Sequence, residues 1–293
     1  MVKPRQITYY WTSLLQGAPM PISVPLLSIV FIIFDMLAGI AIPLLLFLLL
    51  RRKCGCAWQP FVAGCAVMLV FALVLEQFAH RLILSSSSGA AIQANVWLMA
   101  LYGGLMAGLF EESGRFLAFK TVLKKQMDRD SNALMYGAGH GGFEAFALLS
   151  AGMINNLVIS IMINAGRSSE LTAKLSGPQL AAMQAGMNAL AAAPSSMFLV
   201  SLVERLAALI AQLALSVFVW FAAKRGGKFT LLYPLALLMH LVLDAAAVVL
   251  SRKGASIALI ETVVWLIALG YAAAARILWK KLSTPAPAGA AAV

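Results

Sequence analysis

Long apolar blocks, separated by short polar and basic connections, constrain the fold of this chain more than any other feature. Each block supplies the ~20 apolar residues that a helix needs to cross ~30 Å of hydrocarbon. The blocks lack the period-2 alternation of a membrane barrel, and a helix satisfies its own backbone polar groups within lipid. The sequence therefore predicts an all-α, polytopic transmembrane bundle of about seven helices. We place the spans at residues 24–50, 59–84, 91–119, 132–165, 197–222, 229–250 and 255–275.

The distribution of basic residues predicts how the bundle is oriented. The net charge is +11, and the basic side chains fall mainly between the apolar blocks. We therefore expect them to contact lipid headgroups and to set topology, and we expect no nucleic-acid partner. The connections that contain Arg51, Lys125 and Lys228 belong to the side with most of the Lys and Arg, which is typical of the cytoplasmic side. The N-terminus is then outside and the C-terminus inside.

This topology divides the chain into three parts. We expect an extracytoplasmic segment at residues 1–23, a membrane domain at 24–275 with its core at 59–250, and a basic, disordered cytoplasmic tail at 276–293. The one large outer connection, 166–196, is rich in Ala and Met and is predicted to form a surface helix. Glycines four residues apart in spans three and four predict that these two spans pack closely against each other.

Ionisable side chains inside the spans are the main pointer to function. All three histidines and most of the acids lie there, although each such group costs roughly 2.5–3.5 kcal/mol at the bilayer centre on insertion scales. From a rise of 1.5 Å per residue, Glu111, Glu112, His140 and His240 all lie ~12–17 Å below the cytoplasmic edge. Three spans thus present polar groups at one level, which predicts a shared site.

The spacing within each span supports that site. His140 and Glu144 are four residues apart, as are His240 and Asp244, so each pair lies on one helix face. Such pairs also hold helices together without any catalytic role, but a set from three helices at one depth favours function. Two further sets are predicted at outer depth, and their role is left open between a structural ion pair and an access or supporting role: Glu76 with His80, and Glu204 with Arg205.

Three short strings resemble the motifs of a known clan of intramembrane proteases. Glu111–Arg115, Tyr136–His140 and His240–Asp244 resemble, in order, the three motifs of the CAAX prenyl-protease clan. The string Gly139–Ala145 resembles the bacterial YhfC branch of that clan, to which the scaffold subunit of gamma-secretase is distantly related. The resemblance implies an intramembrane endopeptidase in the bacterial cytoplasmic membrane, with its site towards the cytoplasmic leaflet. Its substrate would be a membrane-embedded or membrane-associated protein.

The resemblance also implies roles for the matching residues. Glu111 would activate water with the help of His140, while His240 and Asp244 would stabilise the oxyanion. The pair Glu112 and Arg115 would hold these groups in place. Glu144 would act as a second base, a proton relay or a metal ligand. On this interpretation the enzyme is of the glutamic type and needs no cofactor.

Three other interpretations are compatible with the same residues. Zn²⁺ bound by His140, Glu144 and His240, with Asp244 or Glu111, would make the chain a metalloprotease. A proton-coupled transporter also uses intramembrane His and Glu, and a non-catalytic scaffold occurs in the clan. Neither the substrate nor the oligomeric state follows from the sequence.

Overall fold

The computed structural model describes residues 22–283, which contain helices and no strand. Six helices in this range are long and apolar enough to cross a membrane, or seven if the bent pair α3 and α4 forms one span. The predicted polytopic helical bundle is therefore confirmed. The helices are α1 (Leu26–Cys54), α2 (Gln59–Leu84), α3 (Ser87–Ala94), α4 (Val96–Lys120), α5 (Asn132–Asn164), α6 (Ser168–Thr172), α7 (Gly177–Ala192), α8 (Ser196–Arg225), α9 (Leu232–Arg252) and α10 (Ile257–Leu282).

The predicted third span, 91–119, is not one straight helix. Its axis turns by 111° between α3 and α4, at Asn95. Asn95 has an extended backbone, and its side chain accepts hydrogen bonds from the backbone N–H groups of Trp97 and Leu98, at 2.9 and 3.2 Å. This is the geometry of a helix N-cap, so α4 begins as a new helix after Asn95. The bend leaves α4 as the element that carries the Glu-Glu doublet.

The C-terminal boundary also differs from the prediction. Helix α10 continues to Leu282, so the first residues of the predicted tail 276–293 are helical. The predicted disorder beyond Ser283, and nearly all of the predicted segment 1–23, lie outside the described residues.

The described chain forms two compact units. The first consists of the described residues up to Phe34 together with Gly152–Leu199. Asn164 joins its two parts, since its side-chain oxygen accepts from Val24 N at 2.8 Å and its amide nitrogen donates to Val24 O at 2.9 Å. The predicted helix in the connection 166–196 is present as α7.

The second unit, Asp35–Ala151 and the described residues from Val200 to Ser283, contains all of the predicted site residues. Helix α8 is its central element, because 78% of its most apolar window is buried, against 11–33% for the other five unbent spans in the described residues. Trp220 and Phe221 of α8 are fully buried, in a core with Phe119 and Tyr136. Around α8, α4 packs on α9 and α2 packs on α5.

The glycine pairs of spans three and four do not bring those two spans together as predicted. The pair in α4, Gly104 and Gly108, faces α9, where a Cβ added at Gly104 would lie 2.6 Å from the carbonyl oxygen of Leu241. The pair in α5 faces α8, and a Cβ at Gly137 would lie 2.9 Å from Leu213 Cα. Small residues do permit close packing, but each pair meets a different neighbour from the one expected.

Two helix backbones come into close contact beside His140. A Cβ at Gly139 in α5 would lie 2.0 Å from the carbonyl oxygen of Phe61 in α2, and one at Gly64 would lie 2.3 Å from that of Tyr136. Neither position has room for any side chain. The two glycines therefore let α2 and α5 touch along their backbones, and this contact fixes the height at which His140 enters the bundle.

Candidate functional site

Glu111 lies between the two histidines inside the second unit. Its Oε2 atom is 2.9 Å from His140 Nε2 and 3.9 Å from His240 Nε2. The three residues come from α4, α5 and α9 and are all buried. The structure thus brings together the side chains that the common depth had pointed to.

Glu112 and Arg115 form a second layer behind His240. Arg115 Nη1 donates to Glu112 Oε2 at 2.6 Å, so the arginine pairs with the second glutamate of the doublet. Glu112 Oε1 is hydrogen-bonded to His240 Nδ1 at 2.9 Å. Because Nδ1 is engaged in this way, the imidazole presents Nε2 towards Glu111 and towards Asp244 Oδ2, which is 3.6 Å away. A carboxylate on the far nitrogen fixes both the tautomer and the ring orientation of a histidine.

Glu144 is held by an arginine from α8. Arg205 Nη1 donates to Glu144 Oε1 at 2.5 Å, and Arg205 Nη2 donates to Glu204. The sequence had placed Glu204 and Arg205 in a separate outer set, whereas in the structure they line the same cavity as the predicted site. This cavity has a volume of about 160 Å³, and its polar lining consists of Glu111, Glu144, Glu204, Arg205, Gln212, His240 and Asp244.

Gln212 of α8 is a member of the site that the sequence did not single out. It is buried, its Nε2 donates to Glu111 Oε2 at 2.9 Å and to Glu144 Oε2 at 3.2 Å, and its Oε1 accepts from Arg115 Nη2. The prediction weighed ionisable side chains in the spans and passed over an uncharged amide. An amide in the middle of an apolar span is itself a signal, because its four hydrogen-bonding positions need partners in lipid.

Glu76 and His80 form a separate set. His80 Nε2 is 3.1 Å from Glu76 Oε1, and its Nδ1 is 2.8 Å from the hydroxyl of Tyr102. These groups have hydrogen-bond partners of their own and do not line the cavity. The structure adds Tyr102 to the pair and gives the set no direct bond to the site.

The side chains around Glu111 are of the types that bind a divalent metal. Among residues 22–283, no three His, Cys, Asp or Glu side chains form a ready-made metal site as they are placed. The donors are nevertheless imidazole nitrogens and carboxylate oxygens, which Zn²⁺ prefers. Two ligands at ~2.0–2.1 Å from one tetrahedral ion lie roughly 3.3 Å apart. Glu111 Oε2 lies 2.9 Å from His140 Nε2 and 3.9 Å from His240 Nε2, and these two separations lie on either side of that value.

The charges at the site point the same way. Five carboxylates belong to it, and the arginines that pair with them are Arg115 and Arg205 alone within the described residues. Five ionised carboxylates against two arginines leave an excess of negative charge, which is partly exposed because the side chains of Glu204 and Asp244 are 46% and 36% exposed. A divalent cation removes most of this excess. The residues therefore fit a metal.

Comparison with known proteins places the chain in a family. A family model described as YhfC intramembrane metalloprotease matches residues 38–265. The chain is also 31% identical over 227 residues to an uncharacterized membrane protein YhfC of Bacillus subtilis strain 168, which is 77% of this chain and 86% of that relative. No solved structure matches the chain.

These matches correct the expectation about the cofactor and favour the zinc mechanism over the metal-free one. The expectation that the chain needs no cofactor is wrong, because the description of the matching family as a metalloprotease implies a metal. The metal-free, glutamate-activated mechanism is likewise not supported, whereas the zinc interpretation of the same residues accords with that description. The extent of the match, over residues 38–265, includes every residue of the site. The chain is a member of the YhfC intramembrane metalloprotease family.

Proposed function

We propose that this protein is a zinc-dependent protease that hydrolyses a peptide bond of a membrane-embedded protein inside the bilayer. One observation carries the proposal. The Nε2 atoms of His140 and His240, from two different helices, both face the same oxygen of Glu111 beside a cavity within the bundle. Two imidazoles and one carboxylate leave a position open for water or substrate, as catalytic zinc sites do.

His140, His240 and Glu111 are the residues that would hold the metal. The hydrogen bond from His240 Nδ1 to Glu112 leaves Nε2 as the coordinating atom. Glu144 was the third ligand in the alternative derived from the sequence, but its two oxygens are engaged with Arg205 and Gln212, and Glu111 is better placed. When bound, the metal would polarise a substrate carbonyl and lower the pKa of water.

Asp244 is the group that we assign to proton transfer. It lines the cavity, lies 3.6 Å from His240 and forms no hydrogen bond with an arginine within the described residues. Its carboxylate is therefore available to take a proton from the attacking water and to return it to the amine of the leaving peptide. Arg205 pairs with both Glu144 and Glu204 at the same cavity, which reduces their repulsion of Asp244.

We further propose that the site lies on the cytoplasmic side of the membrane. The basic connections favour a cytoplasmic position for the ends of α4 and α9 nearest the site, in the inner membrane of a bacterium. The substrate would then be cut within the cytoplasmic leaflet.

A chelation experiment tests the proposed activity. The protein is purified into lipid nanodiscs and supplied with a membrane-protein substrate that wild-type enzyme cleaves. Chelator should abolish cleavage, and added Zn²⁺ should restore it. Glu111→Gln should be inactive at every Zn²⁺ concentration, while the matched control Glu76→Gln, an acid of α2 outside the cavity, should retain activity. Cleavage that persists in chelator, or wild-type rates from Glu111→Gln, would refute the proposal.

A further inference from the structure

The side-chain amide of Gln212 has only one orientation that its neighbours accept. Arg115 has donors and no acceptor, so the atom that faces Arg115 Nη2 has to be the amide oxygen. The amide nitrogen then faces Glu111 Oε2 at 2.9 Å and Glu144 Oε2 at 3.2 Å. Three partners on two helices, α4 and α5, fix the amide, and the residue is buried in helix α8.

This orientation places a neutral group between two opposite charges. Arg115 lies on one side of the amide and the Glu111 carboxylate on the other. Arg115 is fully buried and already neutralises Glu112. Without the amide, Arg115 Nη2 would lack its acceptor, and Glu111 Oε2 would keep His140 Nε2 as a partner but lose the bond from Gln212. In a low-dielectric interior the guanidinium and the carboxylate attract each other strongly, and a carboxylate that turns to Arg115 turns away from the histidines.

We propose that Gln212 is a positioning residue that keeps Glu111 available to a metal by separating it from Arg115. The inference rests on the proposed function and goes beyond it, because it assigns a role to a residue outside the ligand set. Gln212 also ties the Arg115–Glu112–His240 chain to Glu111 through one side chain. The same amide therefore stabilises two of the ligands, one directly and one through two intervening residues.

Zinc affinity is the measurement that tests this role. Gln212→Met has a similar length and no hydrogen-bonding group, and loss of a group that orients a ligand typically lowers metal affinity ~10–100-fold. We expect a decrease of that size in competition titrations of nanodisc-embedded protein with a chromophoric chelator. The matched control is Ser216→Ala, which removes a buried hydrogen bond to Gln212 O on the same helix. This control should bind Zn²⁺ as wild type does.

Two additional variants separate positioning from general damage to the helix. If Gln212 acts mainly through Glu111, Gln212→Met should cause a smaller loss of zinc affinity in a Glu111→Gln background than in the wild-type protein, as a double-mutant cycle would show. If Gln212→Met does not fold, Gln212→Asn replaces it, because the shorter amide cannot reach both Arg115 and Glu111. The metal-free unfolding temperature of each variant shows that it is folded.

The outcomes distinguish this inference from the proposed function. Wild-type protein that binds no Zn²⁺ would refute the proposed function, and the inference with it. Wild-type protein that binds Zn²⁺ while a folded Gln212 variant binds it equally well would refute the inference alone. An equal loss in Ser216→Ala, or an additive loss in the Glu111→Gln background, would also overturn it.

Discussion

The ion pairs of this protein differ sharply in how much stability depends on them. The pair of Arg115 and Glu112 is fully buried, whereas that of Arg167 and Glu170 is exposed, with side-chain exposures of 62% and 52%. A buried charge that loses its partner has no water to compensate it. The charged network around Glu112 is therefore a structural element as well as a support for His240.

This difference leads to a prediction about Arg115. Arg115→Met should lower the free energy of unfolding by about 3–5 kcal/mol, because it leaves Glu112 buried and uncompensated. Arg167→Met, which breaks the exposed pair, should leave stability unchanged within error. Thermal or denaturant unfolding of the two variants in detergent provides the measurement. Equal stability of the Arg115 and Arg167 variants would contradict the buried network described here.

The histidines should behave as ligands rather than as packing groups. His140→Ala and His240→Ala should each reduce cleavage at least ~100-fold, because each removes a group that the reaction uses directly. His80→Ala, which lies in the separate set with Glu76 and Tyr102, should retain activity. Cleavage rates on one validated substrate compare the three variants. Strong residual activity in His240→Ala would show that α9 supplies no essential histidine to the site.

The sequence pointed to most of the charged residues of the candidate site, but not to Glu204 and Arg205, and it missed the uncharged Gln212. The cost of burying a charge in lipid marks Glu111, His140 and His240 wherever they occur in a span. Gln212 carries no charge, and its importance depends on three partners far away in the chain. The prediction that the enzyme needs no cofactor was wrong for a related reason. His and Glu serve both metal-free and metal-dependent hydrolysis, and residue types alone do not distinguish the two.

At the level of helices, the contact between α2 and α5 carries the most specific packing. Gly64 and Gly139 let the two backbones touch next to His140, where no Cβ has room. Apolar length predicted each helix because a span is a local property. The partner of each glycine face is a tertiary property, and for this reason the glycines of α4 and α5 were assigned to the wrong neighbours. The bend at Asn95 escaped prediction because the apolar block continues through it.

A glycine substitution tests this packing. Gly139→Ala should lower the free energy of unfolding by about 1–3 kcal/mol, because the added Cβ would lie 2.0 Å from the Phe61 carbonyl oxygen and has to displace backbone. Gly186→Ala, in α7, has no atom within 4 Å of its added Cβ and should be neutral or stabilising. Unfolding experiments in the same detergent compare the two. A Gly139→Ala protein as stable as wild type would mean that α2 and α5 are further apart than described.

At the scale of the whole molecule, the proposed orientation makes a labelling prediction. A membrane-impermeant maleimide should label single cysteines at Lys125 and Lys228 only from the cytoplasmic side, and one at Lys174 only from outside. Native Cys54 is exposed and should react like the cytoplasmic probes, so it is removed from the background. Cys56 is buried, and burial raises the pKa of its thiol, so it should react slowly. Reversed labelling would place the site in the other leaflet.

The central claim is that His140, His240 and Glu111 hold a catalytic metal, and the metal content of purified protein tests it most directly. Protein extracted without chelator, exchanged into metal-free buffer and analysed by mass spectrometry should contain about one zinc per chain, as a single catalytic site requires. The double variant His140→Ala/His240→Ala, shown to be folded by its unfolding transition, should contain essentially none. Equal zinc content in the wild-type and double-variant proteins, or none in active wild-type enzyme, would contradict the account.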